Sequence, residues 1–289
     1  MFRGSFVALA TPFNTNHEID FEAYGRLIDR QIEQGTQGLV PCGCTGEAAT
    51  LDHDEQEECI RFTIDRAAGR AQVIAGTGSN NTQEALRLTV AAKQAGADGA
   101  LLITPYYNKP MPAGQIAHYR TIAEEVDIPI VLYNVPGRTG TNMQPDTVAE
   151  LSEIENIVAI KESSGGVDQA AQVMSLSDIT VLSGDDYLTL PMMALGGQGV
   201  ISVAANVVPK HVAHLVDACL NNQMAKAREL HYELLPLFKG LFIETNPIPL
   251  KSVLAKMGLC EDVVRLPLTP LPAEKYDKLD PILQGLGLV

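Results

Sequence analysis

Apolar, β-branched runs recur along the chain, and each is followed by a turn residue and then by helically spaced apolar positions. The runs predict strands over 6–12, 38–42, 72–75, 99–104, 129–134, 157–161, 179–183 and 199–203. Two of them, "GALLIT" and "PIVLYNV", are apolar at successive rather than alternate positions, the pattern of a parallel strand buried on both faces. Helical segments with start and stop signals lie between the strands. Asp20 precedes "FEAYGRLIDRQIEQG", closed by Gly35. Asp52 or Asp54 opens "EQEECIRFTIDRAAG", closed by Gly69, and Asn81-Thr82 opens "QEALRLTVAAKQAG", closed by Gly96. A short polar side chain at the start accepts a hydrogen bond from an unpaired helix N–H, and a glycine supplies the left-handed turn at the end. Leu86, Leu88, Val90 and Ala91 read as the apolar stripe of the third segment.

Eight such units, each of roughly 20 to 40 residues, predict an α/β chain closed into a (β/α)8 TIM barrel, with an open doubly wound sheet as the alternative. The barrel core spans 1–208, up to strand eight. The stretch 209–289 reads as the last barrel helix and a small C-terminal helical region: "HVAHLVDACLNN", "QMAKARELHYELLPLFKGLF", "PLKSVLAKMG" and "AEKYDKLDPILQGLG".

Composition narrows the function classes. Hydrophobic residues make up 46 % of the 289, and no run of 18 uninterrupted apolar residues occurs, which argues against a membrane span. The start, "MFRGSF", lacks a signal-peptide layout, so a cytoplasmic enzyme is expected. The formal net charge of −14 repels phosphate backbones and argues against nucleic-acid binding. Five scattered cysteines, at 42, 44, 59, 219 and 260, do not form a disulfide framework. Cys42 and Cys44 have the wrong spacing for a Cys-x-x-Cys metal or redox motif, and along a strand they would point to opposite faces.

Barrel active sites sit at the C-terminal ends of the strands. The candidate ends are Thr11-Pro12, 42–47, 76–80, 104–107, 133–138, 161–163, 184–186 and 202–206. Lys161 stands out, because the run "NIVAIKESSGG" carries an ammonium to the barrel mouth. Burial disfavours the charged form of a lysine and leaves a neutral amine that can attack a carbonyl. The alternative is a lysine paired with Glu162 or another carboxylate. Tyr133 ends the preceding strand and could relay protons to Lys161, or serve as an ordinary core or rim tyrosine. Arg138, in a Pro/Gly turn, could hold a carboxylate in two-pronged fashion or be a solvated loop arginine. The backbone N–H groups of 43–47 and the Thr45 hydroxyl could bind a carboxylate at a helix start.

Other chemistries fail on their motifs. "VAIK" matches a kinase strand lysine, but no "HRD", "DFG" or upstream glycine-rich loop accompanies it. Gly76-Thr77-Gly78 lacks the third glycine of a dinucleotide fingerprint. His211 and His214 share a helix face but lack a third ligand, so no metal site is expected.

The motifs "GCTGEAATLDHDE", "TPYYNKP", "YNVPGRTG", "VAIKESSG", "LSGDD", "GVISVAAN" and "NPIP" occur in this order across essentially the whole chain. In this the sequence resembles the dihydrodipicolinate synthase family, within the pyruvate-dependent aldolase group that includes N-acetylneuraminate lyase. The resemblance implies that Lys161 forms an imine with pyruvate and that Thr45 and its backbone hold the pyruvate carboxylate. Gly184 and the Ile201 carbonyl would face the substrate. Tyr133 would move protons, and Arg138 would position the carboxylate of L-aspartate-4-semialdehyde. The product would be 4-hydroxy-tetrahydrodipicolinate, an intermediate of lysine and diaminopimelate biosynthesis, with no metal or organic cofactor. Tyr107 would come from a neighbouring subunit of a homotetramer, a dimer of dimers, and would join Tyr133 through position 44. There the family usually has a threonine and this chain has Cys44.

The resemblance also implies a feedback site for L-lysine at Ala49, His53, Gly78, Asn80, Glu84 and Tyr106, where Glu84 suits an ammonium ligand. Ala48 and Gln56 depart from the pattern common in lysine-sensitive relatives. The competing functions are a pyruvate aldolase for a sugar acid, which Arg138 disfavours, and a barrel retained as a binding or sensor protein, against which Lys161, Tyr133 and Tyr107 argue.

Overall fold

The computed structural model describes residues 2–289. Each predicted run forms a strand, with ends displaced by a few residues: β1 Gly4–Ala8, β2 Gly38–Val40, β3 Gln72–Gly76, β4 Gly99–Ile103, β5 Ile130–Asn134, β6 Ile157–Glu162, β7 Thr180–Ser183 and β8 Gly199–Ser202. All pair in parallel with their sequence neighbours, and β8 pairs with β1, so the sheet closes. The barrel replaces the open-sheet alternative.

The first run differs most from expectation. Pairing starts at Gly4 and stops at Ala8, because the Asn206 side chain takes over beyond it, accepting from Ala10 N (3.1 Å) and donating to Ala8 O (2.8 Å). At the seam, Gly4 faces Gly199, where a Cβ would sit 2.0 Å from the Gly4 carbonyl oxygen. Only glycine permits that approach.

The helices are α1 Phe21–Glu33, α2 His53–Ala67, α3 Thr82–Ala95, α4 Pro112–Glu125, α5 Pro136–Thr139, α6 Pro145–Ser152, α7 Val167–Leu176, α8 Thr189–Ala194, α9 Pro209–Leu220, α10 Met224–Gly240, α11 Ile248–Lys256 and α12 Ala273–Gly285. Asp20, Asp52 and Asn81 cap α1, α2 and α3 as their positions suggest, and Asp52 with Glu55 completes a reciprocal capping box. The apolar stripe of α3 needs correcting. Its buried residues are Ala85, Leu88, Thr89 and Ala92, because 86, 88 and 90 alternate and cannot share one face of a 3.6-residue spiral. Leu86 and Val90 are only partly buried.

The core has layers. Phe6, Val40, Ile74, Leu101, Val131 and Ile201 fill the barrel interior, while two larger clusters lie between the strands and the helices. Among the described residues no helix is long and apolar enough to cross a membrane.

Candidate active site at the barrel mouth

Register places the central pair. Tyr133 of β5 lies directly opposite Lys161 of β6, so both side chains point to the same face, and Lys161 Nζ lies 4.1 Å from the Tyr133 ring centroid. Lys161 is 5 % exposed. Burial draws its ammonium down to about 8, against the opposing pull of Cys44, Asp185 and Asp186. About a tenth of the lysine is then neutral amine at pH 7. Burial also pushes the Tyr133 phenol well up, with Cys44 adding to the rise, so it keeps its proton at neutral pH.

Pairing of Lys161 with Glu162 does not occur. Glu162 points to the other face of β6, where its carboxylate accepts from Ser164 N (2.6 Å), Asn134 Nδ2 (3.1 Å) and Gln169 Nε2 (3.2 Å). Asp186 is likewise engaged, by the Ser202 hydroxyl and by Val203 N and Ala204 N. Gly184 supplies the floor beneath the lysine stem: a Cβ there would lie 1.9 Å from Ser163 Oγ and 2.9 Å from Lys161 Cε. Ile201, fully buried on β8, shares the interior cluster with Tyr133.

The turn after β2 is tighter than a strand reading allows. The strand ends at Val40, and both Cys42 (φ 55°) and Glu47 (φ 54°) are left-handed, so the two cysteines do not alternate across a strand. Cys42 is buried. The neighbouring Cys59 thiol and burial push its own thiol well up, its Sγ donates to the Gln56 carbonyl (3.6 Å), and it behaves as a small apolar filler. Cys44 is half-buried and neighbours the Tyr133 phenol, whose proton affinity it raises. The buried Thr45 hydroxyl accepts from Asn246 Nδ2 (3.0 Å), and the Asn246 carbonyl accepts from Arg138 (2.9 Å), so one residue ties the turn to α5. Arg138 thus sits in a short helix, more anchored than a solvated loop arginine.

Tyr107 is not brought to this centre. It is 88 % exposed, on the loop after β4, with φ 70°. A cavity of about 430 Å³ opens between the Cys44, Tyr133 and Arg138 side chains and runs to Ala49, His53 and Glu84.

Comparison with known proteins bears on this geometry. The family model "Dihydrodipicolinate synthetase family" matches residues 1–286. The chain belongs to the dihydrodipicolinate synthetase family. It is 53 % identical to the 4-hydroxy-tetrahydrodipicolinate synthase of Geobacter metallireducens over 291 aligned positions, covering 100 % of both chains. The chloride-inhibited dihydrodipicolinate synthase of Acinetobacter baumannii, solved with pyruvate, superposes with a TM-score of 0.98 at 43 % identity, covering 100 % of each chain. The enzyme from Cyanidioschyzon merolae, solved with lysine bound, gives 0.97 at 39 % identity over 100 % of this chain and 99 % of that one.

In this member of the dihydrodipicolinate synthetase family, five of the six effector candidates, Ala49, His53, Gly78, Glu84 and Tyr106, line the far part of the cavity. The sixth, Asn80, lies beside them, donating to the Tyr106 carbonyl (3.2 Å). Glu84 accepts from Ser79 Oγ (2.8 Å). His214 is an exposed residue of α9 and His211 is half-buried there; among the described residues no group of three potential metal ligands comes together.

Sequence reasoning missed one polar group at the mouth, Asn246, and gave no role to two others that lie within the candidate strand ends 161–163 and 184–186. Asn246, Ser163 and the half-buried Asp185, whose carboxyl burial pushes up to about 6, all sit in motifs quoted above, but their neighbours are distant in sequence.

Proposed function

We infer that this chain condenses pyruvate with L-aspartate-4-semialdehyde to give 4-hydroxy-tetrahydrodipicolinate, through an imine on Lys161. The buried, unpaired lysine opposite Tyr133 carries the reading. The neutral amine attacks the C2 carbonyl of pyruvate and water leaves. Loss of a C3 proton gives the enamine, whose C3 attacks the semialdehyde, and ring closure by the substrate amine returns Lys161. The imine itself is the electron sink, so no metal or organic cofactor is assigned a step.

Thr45 and the neighbouring backbone N–H groups hold the pyruvate carboxylate, with Gly184 and the Ile201 carbonyl bounding the site. Arg138 positions the second carboxylate. Tyr133 moves the protons, helped by Cys44 and by Tyr107 of a neighbouring subunit. The exposed, left-handed Tyr107 fits such an exchange in a homotetramer. L-Lysine, present in the Cyanidioschyzon merolae structure, is the effector expected at Ala49, His53, Gly78, Asn80, Glu84 and Tyr106.

Incubation with pyruvate followed by borohydride reduction and mass spectrometry should place an adduct on Lys161. Absence of the adduct would sink the reading. An adduct without turnover of aspartate semialdehyde would move it to the sugar-acid aldolase.

A further inference from the structure

The turn that carries Cys44 and Thr45 is held from outside the barrel. Lys251 of α11 is 0 % exposed, and its Nζ lies 2.5 Å from Glu47 Oε1, although the two residues are 204 positions apart. The same ammonium donates to Val263 O (2.8 Å) and stands 3.9 Å above the Phe13 ring. The second Glu47 oxygen accepts from Arg265 N (3.1 Å). The Arg265 guanidinium shares the Phe13 ring at 4.4 Å, grips Glu55 with two hydrogen bonds (2.6 and 2.7 Å) and donates to Thr50 O (2.9 Å).

Stability gives a weak reason for this arrangement, since a buried ion pair often does no better than apolar groups of the same size. The backbone gives a stronger one. Cys42 and Glu47 are non-glycine residues in the left-handed region, and they flank Cys44 and Thr45 on either side. Such conformations persist only where the surroundings over-determine them. Thr11 Oγ1 fixes the Gly46 carbonyl (2.8 Å), and the Glu47 carboxylate fixes the next residue. Release of Glu47 would let the turn relax and carry Thr45 and its N–H groups off the position a carboxylate needs.

We propose that Glu47 and Lys251 are positioning residues, through which the C-terminal helical region holds the pyruvate-binding turn in its working shape. This rests on the reading that the turn binds pyruvate. The test is steady-state kinetics on Lys251→Met, which leaves Glu47 unpaired, and on Glu47→Gln/Lys251→Met, which removes both charges. Misplacement of the turn should raise KM for pyruvate about tenfold or more in both, while KM for aspartate semialdehyde moves less than about twofold. Saturating pyruvate with borohydride should still label Lys161.

A double variant with the wild-type KM for pyruvate would overturn the proposal, since the pair would then serve only to avoid a lone buried charge. So would equal rises in both KM values. Should neither variant fold, Arg265→Gln, which cuts the Glu55 and Thr50 contacts beside the same turn, decides instead: KM for pyruvate rises at least about threefold, or the idea fails. An unlabelled wild-type enzyme would instead remove the pyruvate reading itself, so the two failures are separable.

Discussion

Two lysines are buried in this molecule, and their surroundings make them opposite in kind. Lys161 sits at the barrel mouth beside an aromatic ring, and the carboxylates Asp185 and Asp186 reach it only through space. Lys251 sits on an aromatic ring too, but with Glu47 and a carbonyl bonded to its ammonium. Burial lowers the proton affinity of both. A bonded carboxylate stabilises the charge of Lys251 and makes it a structural cation, whereas its absence leaves Lys161 able to shed a proton and act as a nucleophile. The partner, more than burial, separates a reactive lysine from an inert one.

Exchanging each for methionine should split the two roles. Lys161→Met abolishes the borohydride-trapped adduct and lowers kcat by at least about 10³-fold, while the melting temperature holds or rises because a costly buried amine is gone. Lys251→Met costs stability, about 3 to 5 kcal/mol in denaturant titration, because Glu47 is left as a lone buried charge. A Lys161→Met protein that unfolds easily, or a Lys251→Met protein as stable as wild type, would break the comparison.

The floor under Lys161 comes next. Gly184→Ala drives a methyl into Ser163 Oγ and Lys161 Cε. Such displacement should lower kcat/KM for pyruvate roughly 10²-fold with the fold intact by circular dichroism.

The pH dependence is smaller and has a definite sign. With Lys161 at about 8, kcat/KM for pyruvate climbs as pH rises from 6 toward 8 and then levels. Between about 8 and the ordinary 10.5, the unfolded chain holds a proton that the folded lysine has lost, so this group adds stability with rising pH. Subtracting the curve for Lys161→Met should isolate that slope, and parallel curves would contradict it.

Cys44→Thr replaces a weak thiol partner of Tyr133 with a hydroxyl, and should raise kcat a few-fold or shift its pH optimum. An unchanged profile would show that position 44 is not limiting. At the far end of the cavity, millimolar L-lysine should inhibit, and Glu84→Gln should weaken that inhibition about tenfold by removing the charge facing its ammonium. A rate indifferent to lysine would dismiss the effector assignment.

The barrel and its lysine were legible because they are written locally. An apolar run ending in Lys161 states both burial and position, and Tyr133 follows from neighbouring strands. The loop chemistry was less legible. Extending strand two to Cys42 failed because the backbone turns left-handed there, a conformation that no residue type at that position announces. The Glu47–Lys251 pair was invisible, since Glu47 reads as a loop acid and Lys251 as one basic residue of a largely apolar helix. Only the fold brings them across 204 positions. Tyr107 was not placed by the fold at all: its side chain is 88 % exposed on the loop after β4 and does not reach Lys161.

The glycine seam between the first and last strands also bears on how the molecule is made. β1 leaves the ribosome well before β8, and the edge that faces Gly199 has no partner until that last strand of the barrel has been synthesised. At ordinary elongation rates of about 5 to 20 residues per second, that edge waits roughly 10 to 40 s. An unpaired strand edge is a template for pairing with other chains. The nascent chain is therefore most vulnerable to aggregation before its seam can form, and slower translation would lengthen that exposure without altering a single contact of the finished enzyme.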